Sequence, residues 1–311
     1  MQFNKIIGHA ELKARLIGNI REGRVAHAQF YLGPRGSGVL PLVLAYATYL
    51  FCEDPGAGDS CGQCNSCKMM EKVAHPDLNL VFPIFLSDKG KTCEPFAGEW
   101  RDAVLKDPYL DADVWREVLK GENKQLRMGV DIAAEVVRKL SLKSYMGGWK
   151  VMLIWLSEMM DAPMANKILK VLEEPEPKTV FLLAGHANDR ILPTILSRTQ
   201  LVKVAAPDPG EVVAAILERY PEITPADARG IAARSEGDLL EAFAMAEGEE
   251  EEIFVVFRDW LRACYSNNMA ENVYYADYFA KMGREKQKGF MTYALYLILS
   301  LIHISEPTRP Y

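Results

Sequence analysis

Gln29-Phe30-Tyr31-Leu32-Gly33-Pro34-Arg35-Gly36-Ser37-Gly38-Val39-Leu40 carries a short apolar strand into a glycine-rich turn and out into a helix. The glycines keep the frame of the phosphate loop G-x-x-x-x-G-K-[ST], but Val39 stands at the lysine position and Leu40 at the hydroxyl position. In a working loop the backbone N–H groups cradle the phosphates, the lysine reaches the β/γ oxygens and the hydroxyl holds Mg²⁺. Here Gly33, Gly36 and Gly38 retain the cradle without the two reactive side chains. Nucleotide binding is therefore expected to be weak or absent, and hydrolysis is not expected. A glycine pattern alone is a weak signal; the strand–loop–helix setting gives this one weight.

Working outward, the spacing of Ile7, Leu12, Leu16 and Ile20 predicts a helix over residues 6–23, and a second helix runs over 39–51. Strands are predicted at 75–82, 149–156 and 179–184, the last two as apolar runs of the kind buried on both faces of a parallel sheet. Helices are predicted at 132–140, at 161–174, stopped by Pro175 and Pro177, and at 192–197. Strands alternating with helices argue for a doubly wound α/β domain. After Pro207-Asp208-Pro209-Gly210 the pattern is helical only, with predicted helices over 210–219, 224–235 and 238–246. The acidic run 247–252 reads as the solvated start of a further helix. Residues 83–130, with Trp100, Tyr109 and Trp115, read as a partly helical insertion, either a partner surface or a satellite core.

Four of the six cysteines, Cys52, Cys61, Cys64 and Cys67, form a C-x8-C-x2-C-x2-C cluster separated by turn residues. Four thiolates around Zn²⁺ make a closed tetrahedral site, structural in role because no coordination position stays open. An iron–sulfur cluster is the alternative for the same four thiols, and unrelated loop thiols the plain reading. Cys93 and Cys264 read as ordinary thiols.

With 311 residues the chain has room for two or three domains, and 49% hydrophobic with 25% charged residues is ordinary for a globular protein. A net charge of −6 excludes a generally basic nucleic-acid binder, so any DNA contact is local or shared with partners. The N-terminus lacks a signal peptide's apolar core, and the longest apolar stretch, near 294–304, is too short to span a membrane. The expectation is a cytoplasmic protein without a membrane partner.

Four segments together resemble the clamp-loader branch of the AAA+ family, as found in the bacterial DNA polymerase III machinery. They are His27-Ala28-Gln29-Phe30-Tyr31-Leu32-Gly33, the cysteine module, Ala165-Asn166-Lys167-Ile168-Leu169-Lys170-Val171-Leu172-Glu173-Glu174-Pro175 and Ile195-Leu196-Ser197-Arg198. The resemblance implies an AAA+ (RecA-like) α/β domain over 1–206, with a zinc module at 52–67 and the 83–130 insertion. A helical lid over 207–248 and the start of a helical collar over 249–311 would follow. The family's ATPases place an Asp-Glu pair at positions held here by Trp155 and Leu156, and a γ-phosphate-sensing arginine where Leu240 stands. With Val39 and Leu40, these losses imply a subunit that does not hydrolyse ATP. Arg198, in Ser197-Arg198-Thr199, matches the arginine that the family delivers in trans to a neighbour's ATP site; its plain alternative is a surface ion pair. The implied partners are the loader's ATPase subunits, its delta subunit, the sliding clamp and, through the complex, primed DNA.

Two rivals fit parts of the sequence: an active ATPase subunit of the same machine with replacement residues, and a zinc-dependent nucleic-acid-binding module. The family's collar continues beyond residue 311, so the chain is expected to be truncated, with its last residues, from 301 on, non-native.

Overall fold

The computed structural model describes residues 1–85, 91–121 and 124–282, together with 287, 290, 291, 294, 295 and 298 (side chains of 249–254 excepted). The tail from 301, expected to be non-native, lies outside the described residues, as does part of the 83–130 insertion. The chain divides into two compact units, residues 1–243 and 244–311.

In the first unit the order is α1 (Ala10–Arg21), β1 (Ala28–Leu32), α2 (Val39–Phe51), α3 (Asn65–Glu71), β2 (Leu78–Val81), α4 (Ala97–Lys106) and α5 (Ala112–Val118). There follow α6 (Val130–Leu140), β3 (Lys150–Trp155), α7 (Ala162–Glu173), β4 (Thr179–Gly185), α8 (Pro193–Leu196) and β5 (Gln200–Lys203). Helices α9 (Pro209–Arg219), α10 (Pro225–Arg234) and α11 (Leu239–Ala246) come next, the last crossing the unit boundary. In the second unit α12 (Glu249–Tyr265) and α13 (Met269–Lys281) share a small core around Phe257 and Phe290, with Trp260 and Phe279 against it.

The five strands form one parallel sheet in the order β2-β3-β4-β1-β5. The chain leaves β1 for the far edge, returns through β2, β3 and β4, and then crosses β1 to form β5. In such sheets ligands bind beyond the strand C-termini where the order reverses, and that is where the glycine loop follows β1. Every residue of β3 and β4 is buried, as expected for central strands covered on both faces. All residues of α2 are buried as well, so a helix that is apolar all round sits inside the unit.

Three sequence expectations need correction. Strand β5 was not anticipated, because in Gln200-Leu201-Val202-Lys203 only Val202 is buried, so an edge strand carries almost no apolar signal. The knuckle continues into α3, capped by the Cys64 sulfur accepting the Cys67 N–H. The insertion is no satellite. Trp100 and Trp115 are fully buried in the main core, Trp100 stacked on Phe82 at 5.4 Å and meeting Trp155 of β3 edge-on at 6.0 Å.

Candidate functional site

Gly36 and Gly38 adopt φ of +70° and +84°, a left-handed conformation that glycine takes without steric cost. The loop therefore turns where the sequence places Gly36 and Gly38. Its contents differ from those of a phosphate site. Val39 and Leu40 are each 3% exposed and pack into the core as the first turn of α2. The Ser37 N–H is turned back onto the Pro34 carbonyl, and His9 Nε2 lies 2.7 Å from the Ser37 carbonyl oxygen.

Around the loop stand residues that the sequence reading did not single out. A Cβ placed on Gly36 would lie 2.0 Å from Asp238 Oδ1, so the carboxylate packs directly on the glycine. Arg35 donates from Nε to Asp111 at 2.6 Å and from Nη1 to Asp238 at 2.8 Å. On the other side of the loop the Tyr109 ring would come within 3.1 Å of a Cβ on Gly38, and its hydroxyl accepts the Ile7 N–H at 3.0 Å. Burial pushes the Tyr109 hydroxyl up to about 12, so it stays neutral.

At the end of β3 the two positions of the family's acidic pair are apolar and closed off. Trp155 and Leu156 are each 1% exposed. Leu156 turns the chain in the left-handed region at φ 53°, a strain of about 1–2 kcal/mol for a bulky L-residue. Nearby Glu158 accepts the His186 N–H at 3.0 Å through Oε1, while Oε2 is buried without a partner. Burial raises its carboxyl above the usual range. His186 Nδ1 in turn lies 2.9 Å from the Gly33 carbonyl oxygen.

Arg198 lies on the opposite side of the sheet. It precedes β5 by two residues, and β5 runs parallel to β1 with Leu32 beside Lys203. Strand β5 rises three residues from Gln200 to Lys203, ~10 Å at about 3.3 Å per residue, and Arg198 lies in the turn before it, at the N-terminal end of the strands and away from the end at which the glycine loop begins. The side chain is 35% exposed, forms an ion pair with Glu173 at the end of α7, and donates from Nη1 to the Thr194 carbonyl at 2.9 Å. The structure therefore does not bring Arg198 and the glycine loop together in one chain. His27, just before β1 at the same end of the sheet, is exposed, and its carbonyl accepts the Phe181 N–H.

The four clustered cysteines do converge: one sulfur from each of Cys52, Cys61, Cys64 and Cys67 lies within 4.8 Å of the others. Cys52 closes the C-terminus of α2, and Cys64 opens α3. Backbone N–H groups of Cys61, Cys64 and Cys67 point at sulfurs at 3.2–3.4 Å. Amides from Gln63 and Cys64 pull the Cys61 thiol down to about 6, while burial raises the Cys52 and Cys67 thiols. Such a donor set can hold one tetrahedral ion. His75 is not part of it: its ring stacks on Phe51 at 3.9 Å, and Nδ1 accepts the Asp77 N–H. Cys93 is buried against Phe82, away from the cluster.

Among the described residues no helix is long and apolar enough to cross a membrane. The family model described as DNA polymerase III, delta subunit, matches residues 8–208. The DNA polymerase III subunit delta' of Pseudomonas aeruginosa is 33% identical over 190 residues, 60% of this chain and 46% of that protein. Its counterpart from Escherichia coli K12 is 30% identical over 193 residues, 62% of this chain and 46% of that protein. The chain thus spans about half the length of these curated relatives. Among solved structures, a DNA polymerase III gamma-subunit-related protein of Thermotoga maritima overlays with a TM-score of 0.41 at 16% identity, covering 91% of this chain and 77% of that one, a likeness too loose to bear on the site. The match over 8–208 takes in the glycine loop, the cysteine cluster and Arg198, and the chain belongs to the DNA polymerase III delta-prime family of clamp-loader subunits.

Proposed function

We propose that this chain is a non-hydrolysing organiser of a sliding-clamp loader, and that Arg198 completes the ATP site of a neighbouring ATPase subunit. The observation that carries this reading is the separation of the two halves of the chemistry. The glycine loop, at the C-terminal ends of the strands, carries apolar Val39 and Leu40, while the arginine sits at the N-terminal ends, held at the surface. A guanidinium at the opposite end of the strands from its own loop is placed to serve a second molecule. There its fixed fork would grip phosphoryl oxygens as charge develops on them.

In this reading residues 207–248 act as a lid and 249–311 begin a collar that holds the ring together. The ATPase subunits, the delta subunit, the sliding clamp and primed DNA are its partners, and the setting is cytoplasmic. The chain passes on ATP-driven changes in its neighbours without cycling itself. The test is ATP binding and turnover by the purified chain with saturating Mg·ATP: no turnover is expected. Turnover that co-purifies with the folded chain and disappears on changing Gly36 and Gly38 would make it an active ATPase with a replacement site.

We further propose that Cys52, Cys61, Cys64 and Cys67 hold a structural Zn²⁺ that ties the C-terminus of α2 to α3; four thiolates leave it no open position for catalysis. Elemental analysis should find one zinc per chain in the wild type and none in Cys64→Ser. A strong chelator should lower Tm by on the order of 5 °C or more, because the binding free energy of such a site is folding free energy. A metal-free chain with unchanged Tm would rule the site out.

A further inference from the structure

We infer that the glycine loop has a permanent internal occupant: the Asp238 carboxylate fills the anion cradle, and residues 107–111 of the insertion hold the lid helices docked over it. The inference rests on the non-hydrolysing reading and gives the insertion a function.

Gly36 and Gly38 hold the loop in left-handed turns, the backbone form that favours negative charge in phosphate loops. The nearest negative group is the chain's own. Asp238 Oδ1 packs on Gly36 and accepts the N–H groups of Leu240 and Glu241, so the same carboxylate caps α11. The Leu239 N–H donates to the Gly36 carbonyl at 3.3 Å, a backbone tie between lid and loop. Leu240, where the family's phosphate-sensing arginine would stand, is next in line.

The insertion supplies the fastening in three places. Asp111, its side chain 5% exposed, caps α5 and takes the other arm of Arg35, so one guanidinium joins loop, insertion and lid. Tyr109 lies over Gly38, holds the Ile7 amide, and meets Phe243 of α11 edge-on at 6.3 Å. Asp107 pairs with Arg219 of α9 at 2.8 Å, and that guanidinium lies 4.4 Å from the centre of the Phe243 ring. A nucleotide joining loop to lid would have to break these contacts, and its phosphates would meet a carboxylate at contact distance.

The experiment compares full-length wild type with Asp238→Ser, which keeps a good helix cap but empties the cradle of charge, and with Tyr109→Phe. Pyrophosphate and a fluorescent ATP analogue are the probes, with far-UV circular dichroism confirming the fold. Wild type should show no saturable binding of either probe. D238S should bind pyrophosphate at least about tenfold more tightly than wild type, the change expected when about 1.4 kcal/mol of like-charge repulsion is removed. Y109F, which loses only the hydroxyl, should raise hydrogen exchange at the Ile7 amide, and Asp107→Asn, which removes the ion pair with Arg219, should raise it in α9–α11; unchanged exchange in α9–α11 would show that the insertion does not hold the lid. Saturable binding by wild type would show the cradle open, and D238S folded but without gained affinity would show that Asp238 is not its occupant. Either result, with no ATP turnover by wild type, overturns this inference alone; turnover by wild type would instead sink the proposed function.

Discussion

Replacing Arg198 with alanine is expected to slow single-turnover ATP hydrolysis at the neighbouring site of a reconstituted loader by about 10³- to 10⁵-fold, the range for arginines delivered in trans. That corresponds to about 4–7 kcal/mol of transition-state stabilisation. The contacts Arg198 makes within its own chain are cheap by comparison. Its ion pair with Glu173 is partly exposed, 35% for the arginine and 45% for the acid, and such pairs are worth ~0–1 kcal/mol. If Arg198 serves a neighbour's site, giving up Glu173 for phosphoryl oxygens therefore costs little. Arg198→Ala should therefore leave the fold within ~1 kcal/mol of wild type while the neighbour's chemistry collapses. Lysine at 198 should recover only part of the rate, since it brings charge without the two-pronged geometry. Glu173→Gln separates the two roles: if Arg198 is only a surface ion pair, R198A and E173Q will be equally mild and hydrolysis in the assembled loader will not change.

The sequence was most readable where function and local pattern coincide. Helix α2 was expected at its observed bounds because an unbroken apolar run follows a glycine loop, and β3 and β4 because short apolar runs lie between turn residues. The cysteines announced their convergence through spacing alone, since turns between them leave the sulfurs little freedom to diverge. What remained hidden depends on contacts between distant residues. Arg35 and Asp238 are 203 positions apart, and nothing near either one advertises the other. Asp238 entered the sequence reading only as the start of the helix over 238–246; that its carboxylate caps α11 and also packs on Gly36 follows only from how the lid meets the loop. Glu158 was passed over because it stands two residues beyond the family's acidic pair, yet the fold buries its Oε2 without a partner, close to His186, whose ring reaches the Gly33 carbonyl. Tyr109 and the two insertion tryptophans were visible as aromatics, but no periodicity tells a partner surface from a core when the receiving residues, Phe82 just after β2 and Trp155 at the end of β3, lie far apart in sequence.

The insertion also sets the second large effect. Trp100→Ala should cost about 3–5 kcal/mol in urea unfolding, the usual range for removing a fully buried large aromatic. Trp100 contributes a parallel stack on Phe82 and an edge contact with Trp155, in the space beside the former acidic pair, so its loss opens a cavity against the central strand. The conservative change divides the two tryptophans. Trp115 Nε1 donates to the Pro83 carbonyl at 2.7 Å, so Trp115→Phe removes a buried hydrogen bond and strands an acceptor, adding ~1–3 kcal/mol to the loss of volume. Trp100 Nε1 is buried with no partner, and Trp100→Phe discards a group whose burial is already unfavourable. W100F should therefore be milder than W115F, although both residues are fully buried and of equal size. Equal losses for the two would mean that cavity volume alone decides stability here. A small effect of W100A would mean that the insertion does not brace β3, and that the apolar end of that strand is held by the sheet itself.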